Sequence, residues 1–180
     1  MGQMPPAPNA YLGRMEAKST TIESAAELYV HAIAIEREAV ERYAEFAARM
    51  YDQGNGELAA VFAKLEAFET EHLEALRRRT VGVQLPALSA DYSWLEPNLV
   101  LPVETPRQVI AIALEAEKRA RAFFAHVQRI AGDPALRALA KEMAAEEDEH
   151  IALLEHAMTR AHDPFIDWAS VFEGPDSAQR

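Results

Sequence analysis

The chain has 180 residues, 49% of them apolar, with 18 Lys plus Arg against 29 Asp plus Glu and therefore a net charge of −11. That length suits one domain with a continuous core along three or four long elements, and the acidic balance argues against nucleic-acid binding, which needs a basic face. With no cysteine there is no disulfide, thiolate zinc site, iron–sulfur cluster or thiol nucleophile, so any metal must be held by oxygen and imidazole.

No apolar run approaches the roughly 18 residues of a membrane span, and no secretion signal is present. Met1-Gly2-Gln3-Met4-Pro5-Pro6 lacks the serine or threonine that a myristoylation signal places at position 6. The expectation is a cytoplasmic, soluble protein with neither a membrane nor a nucleic-acid partner.

Residues 1–20, with three prolines and little periodicity, read as a loose leader. Thr20 and Glu23 form a capping box, and helical spacing runs from about 22 to 51. Gly54-Asn55-Gly56 breaks the chain before a second helix over about 57 to 79. The stretch from Thr80 to Glu104 has three prolines and no helical period. Thr105-Pro106 starts a third helix, which ends at Gly132, a left-handed C-terminal glycine by expectation. Asp133-Pro134 starts a fourth, running to about His162. Residues 163–180 are a tail in which Phe165, Ile166, Trp168, Val171 and Phe172 offer an apolar face to the bundle or to a second subunit. Strand signals are absent.

Short loops make helices one and two, and three and four, antiparallel hairpins. The connection between the pairs is about 24 residues, enough to cross the roughly 39 Å of a 26-residue helix. Leu85, Leu88, Tyr92, Trp94, Leu95, Leu99, Val100 and Leu101 would hold it against a groove. The expected fold is all-α: a four-helix bundle over residues 21–162 with one long crossover.

Each apolar stripe contains charge. Tyr29, Ala32, Ile33, Ala39, Val40, Tyr43, Ala47 and Met50 share a face with Glu36; Leu58, Phe62, Leu65, Leu73 and Leu76 share one with Glu69 and His72. Helix three carries Glu117 among Ile110, Ala113, Leu114, Ala120, Phe124 and Val127. Helix four carries Glu147 and His150 among Leu136, Leu139, Ala140, Met143, Ile151, Leu154 and Met158. An unpartnered buried carboxylate costs several kcal/mol, and four would unfold an ordinary domain.

All four glutamates lie near mid-helix, so an aligned bundle brings them to one transverse layer. Glu69 with His72, and Glu147 with His150, are Glu-x-x-His pairs whose side chains sit one turn apart on one face. The halves also match internally, Glu36-Arg37-Glu38-Ala39 with Glu117-Lys118-Arg119-Ala120, and Glu69-Thr70-Glu71-His72 with Glu147-Asp148-Glu149-His150. Four carboxylates and two neutral imidazoles balance about two divalent cations and leave open positions, as reactive rather than structural sites do. This donor set suits iron or manganese and does not exclude zinc. A single Glu-x-x-His is usually a solvated pair; two copies in core stripes, each with a core glutamate in the partner helix, are not.

These residues resemble the ferritin-like di-iron carboxylate superfamily, and most closely its rubrerythrin branch, over about residues 22–160. The resemblance implies two iron ions, with manganese or a mixed pair as the alternative. It implies Glu36 and Glu117 as terminal ligands, Glu69 and Glu147 as bridges, and His72 and His150 on one metal each. Typical rubrerythrins add a cysteine-bound rubredoxin iron; here an external electron donor is implied. They also carry a further glutamate at the position of Ala120. Bacterioferritins place a haem-binding methionine where this chain has Thr70, so no haem is expected.

Tyr43 and Phe124 lie seven residues beyond their ligand glutamates, and packing accounts for both; Tyr43 is the candidate for a catalytic role beside the ligands. Glu66 and Glu146 read as acceptors for a ligand imidazole or, more readily, as rim charges; His31, His126, His156 and His162 read as surface or helix-end groups, and the remaining glutamates and arginines mostly as solvated face. The implied activity is reduction of hydrogen peroxide or dioxygen, by a homodimer. The alternative is a ferroxidase or iron-storage protein of the bacterioferritin type without haem.

Overall fold

The computed structural model describes residues 22–88 and 106–160. They form four helices, α1 (Ala25–Asp52), α2 (Gly56–Arg79), α3 (Pro106–Ile130) and α4 (Pro134–Arg160), with no strand among the described residues. The leader, the tail and the stretch of the crossover that holds Tyr92 to Leu101 lie outside them. Of the crossover's apolar residues, Leu85 is half-buried and Leu88 exposed.

Local chemistry sets the helix ends. The α1 capping box is formed by Ser24 and Glu27, one turn later than the Thr20–Glu23 box expected from the sequence. The Ser24 hydroxyl accepts the Glu27 N–H at 3.2 Å, and the Glu27 carboxylate accepts the Ser24 N–H at 3.1 Å. Ile22, just ahead of this cap, is buried in the core. Two boxes of the same pattern follow one another in the sequence, and the second one starts the helix.

The α1–α2 turn uses Gly54 in the left-handed region at φ 76°, where a side chain would be strained. The Asn55 side chain then caps α2 by accepting the Leu58 N–H at 3.1 Å. Arg77, Arg78 and Arg79 occupy the last turn of α2, where positive charge complements the helix dipole. Gly132 is not left-handed: Gly54 and Gly82 are the described glycines with positive φ. The last turn of α3 is extended instead by the Ala131 N–H bonding the Val127 carbonyl at 2.9 Å. Both X-Pro helix starts hold, at Pro106 and Pro134.

α1 packs along α2, α3 along α4, and α1 also meets α4. The α1 stripe is rotated from the expected one: Leu28, Ile35 and Phe46 are buried, whereas Tyr29, Ile33, Val40 and Ala47 are only half-buried. On α4, Ile151 and Met158 are half-buried too. Arg42 and His31 are buried rather than solvated. Arg42 lies in the Ile35–Ala39–Phe46 stripe, paired with Glu38 and with its guanidinium 5.8 Å from the Tyr43 ring centre. The His31 ring tilts against Phe123 at 5.6 Å, and burial holds its pKa below the ordinary 6.5.

The apolar interior is in two pieces. One gathers Ala39 to Met50 of α1, Leu58 to Leu65 of α2, Val109 to Leu114 of α3, and Leu154 and Ala157 of α4. The other gathers Ile22 to Ile35, Leu76, Ala116 to Ala131, and Leu136 to Ala144. The charged layer lies between them. Two greasy plugs thus clamp a polar waist, and neither can close over it without expelling the glutamates.

Candidate metal centre

The waist brings together all six residues that the sequence puts forward as candidate ligands. Glu36, Glu69, Glu117 and Glu147 are 2%, 2%, 3% and 3% exposed, and His150 is 6% exposed. His72 is the most accessible of the six, its side chain 27% exposed. Each comes from the middle of a different helix turn, so the layer is set by the register of the two hairpins rather than by any loop.

Donor atoms converge. His150 Nδ1 lies 3.0 Å from Glu69, 3.7 Å from Glu117 and 3.9 Å from Glu147, and His72 Nδ1 lies 3.8 Å from Glu69. The two imidazoles stack with ring centres 5.1 Å apart. Ligand atoms fall within 4.8 Å of one another in three sets: Glu117, Glu147 and His150; Glu69, His72 and His150; and Glu36, His72 and Glu146. Glu69 Oε1, His72 Nδ1 and His150 Nδ1 are buried without an aligned hydrogen bond. Buried polar atoms are normally satisfied, so a cluster of unsatisfied donors aimed at one space marks a site for a cation.

The protonation pattern agrees. Burial, then the Glu69 and Glu117 carboxylates, pushes Glu36 well above the ordinary carboxylate range. Burial followed by Glu117, Glu36 and Glu69 does the same to Glu147. Burial would raise Glu117 as well, but His150 and Glu147 overcome it and hold it at about 2. Burial lowers His150, and the Glu117 and Glu69 carboxylates overcome that to reach about 10. The metal-free waist therefore takes up protons where a cation would otherwise neutralise it. Burial lowers His72, leaving a neutral imidazole able to bind metal.

Tyr43 does more than pack. Fully buried, its hydroxyl donates to the Glu117 carboxylate across the bundle, and its ring stacks on Phe62 at 6.0 Å. Burial and then the Glu117 charge push its pKa well above 10, so the hydroxyl remains a donor. Phe124 is fully buried core, as expected.

Glu146 is not a rim charge. It is half-buried, its Oε2 is buried with no hydrogen bond, and it groups with Glu36 and His72. Burial, then repulsion from Glu142, raises it to about 7. Its spacing from Met143 and His150, three residues after one and four before the other, places it on the inward stripe and could have revealed it. Glu66 joins none of the three sets.

Comparison with known proteins agrees with this architecture. The rubrerythrin family model matches residues 27–158. A crystal structure of an uncharacterised conserved protein from Magnetospirillum magnetotacticum MS-1 aligns with a TM-score of 0.71 at 30% identity, covering 79% of this chain and 99% of that one. The ferritin of M. penetrans aligns with a TM-score of 0.66 at 20% identity, covering 80% of this chain and 88% of that one, and shares the fold. No curated protein matches.

Proposed function

Because this chain belongs to the rubrerythrin family, we propose that it is a non-haem dinuclear metal protein that reduces hydrogen peroxide or dioxygen with electrons from an external donor. The observation that carries this reading is the layer of four buried carboxylates and two imidazoles in which Glu69 Oε1, His72 Nδ1 and His150 Nδ1 are buried without hydrogen bonds. Glu117, Glu147 and His150 would hold one ion, and Glu36 and His72 the other. Glu69 approaches both imidazoles and suits a bridge.

Iron bound there supplies two electrons, one per ion, matching conversion of hydrogen peroxide with two protons to two waters. The protein's part is positional. Tyr43 fixes one Glu117 oxygen and so orients that carboxylate. The two apolar plugs exclude water above and below the layer. The partial exposure of His72, against the burial of His150, leaves the α2 flank as the approach for a small oxidant. With no cysteine in this chain, electrons reach the site from an external donor rather than through a thiolate-bound iron of its own.

The test is peroxide consumption by iron-loaded protein with an artificial reductant. Turnover that Glu69→Ala abolishes supports the proposal; a loaded protein that leaves peroxide untouched and merely oxidises and retains added Fe(II) supports ferroxidase or storage chemistry instead. Size-exclusion mass separates the same two readings, since a dimer contradicts a cage.

A further inference from the structure

The two ends of the waist are unequal, although the sequence repeat would make them alike. Glu117, Glu147 and His150 form a fully buried triplet. At the opposite end the ligand atoms of Glu36 and His72 lie within 4.8 Å of Glu146, which comes from the other hairpin. The repeat that pairs Glu147 with Glu69 pairs Glu146 with Phe68, so this extra carboxylate exists on one side only.

Glu146 has no structural employment that accounts for its position. The nearby cation, Arg79, donates to Glu142 at 2.5 Å, leaving Glu146 Oε2 buried and without a hydrogen bond. His72 Nδ1, in the same set, also lacks one, and Glu69, only 2% exposed, brings its Oε2 to 3.8 Å from that nitrogen while its Oε1, likewise without a hydrogen bond, faces His150 Nδ1 at 3.0 Å. An unsatisfied imidazole nitrogen with an unsatisfied Glu146 oxygen in its set, and the carboxylates of Glu36 and Glu69 beside it, describes a hard-cation position with oxygen in excess.

We propose that Glu146 is a seventh ligand of the centre, binding the divalent cation held at Glu36 and His72 and making that position chemically distinct from the buried one at Glu117, Glu147 and His150. This rests on the dinuclear reading above. The position lies on the accessible flank and combines three carboxylates with one imidazole. Its cation is the exchangeable one of the pair, and Glu146 is the ligand it meets first from solvent.

The test is titration of metal-free protein with Co2+, followed by visible absorption and calorimetry, for the wild type, Glu146→Ala, Glu146→Gln and Glu142→Ala. Glu142→Ala removes the same charge one turn away, at an exposed residue paired with Arg79. The wild type should bind in two steps. Both Glu146 variants should weaken one step by tenfold or more and leave the other within about twofold, while Glu142→Ala changes neither. If the Glu146 variants titrate as the wild type does, the proposal is overturned and the dinuclear centre stands. If Glu142→Ala weakens binding as much as Glu146→Ala, the effect is one of general charge and the proposal is again overturned. A wild type that takes up no Co2+ overturns the dinuclear reading itself.

Discussion

Replacing Glu147 with glutamine isolates the cost of gathering carboxyls at the waist without metal. Glu147 is 3% exposed, and burial together with Glu117, Glu36 and Glu69 pushes its pKa well above the ordinary 4.5. The unfolded chain releases that proton at its ordinary value, so a folded state that keeps it at pH 7 loses up to about 3 kcal/mol. Glutamine has the same shape, has no proton to lose, and keeps an N–H to offer Glu117. For a chain of this length about 1 kcal/mol corresponds to roughly 2–4 °C, so Glu147→Gln should raise the melting temperature by up to about 6–12 °C.

The assay is thermal unfolding followed by circular dichroism, in chelator, at pH 7 and at pH 4.5. Because the folded pKa is raised, the wild type's disadvantage is absent below the unfolded value and grows as pH rises through it. The two proteins should therefore converge at pH 4.5. The same variant should lose the melting-temperature gain that divalent metal gives the wild type. A Glu147→Gln protein that melts at or below the wild type at pH 7 in chelator would refute the reasoning. Protein partners, and not a missing cation, would then be satisfying that carboxyl.

Glu69→Ala should abolish stoichiometric metal uptake, measured by elemental analysis after desalting. Glu45→Ala, at an exposed residue paired with Arg49 at 2.9 Å, should leave uptake unchanged and shift stability by no more than about 0.5 kcal/mol. Tyr43→Phe leaves a buried Glu117 oxygen without its donor and should cost about 1–3 kcal/mol in the denaturant midpoint while metal stoichiometry is retained. His150, raised to about 10, stabilises the metal-free fold fully below 6.5 and loses that contribution as pH rises toward 10. Metal must displace its proton, so calorimetry in buffers of different ionisation enthalpy should register proton release, and metal should stabilise the protein more at pH 8 than at pH 6.

The residues that meet at the waist were legible because three signals coincide in the sequence. Glu36, Glu69, Glu117 and Glu147 violate an otherwise apolar stripe, they share one depth, and two carry a histidine one turn on. Helix number and the proline starts were legible for a similar reason, since Pro106 and Pro134 leave few alternatives for the first turn. The α1 start was harder, because Thr20–Glu23 and Ser24–Glu27 satisfy the same rule and tertiary burial of Ile22 favours the second. Glu146, Arg42 and His31 were misread as solvent-facing. Each sits at the margin of its stripe, where a rotation of some tens of degrees about the helix axis decides between water and core. The Tyr43–Glu117 bond links residues 74 apart in sequence, and no local pattern specifies it.

Anomalous diffraction from crystals grown with Fe(II) under anaerobic conditions, recorded on both sides of the iron absorption edge, tests the dinuclear centre at the waist. Two peaks should lie at the waist, one bounded by Glu117, Glu147 and His150 and the other by Glu36, Glu69 and His72. Density at the waist without an anomalous peak, or a refined chain in which these glutamates point to solvent, would contradict it.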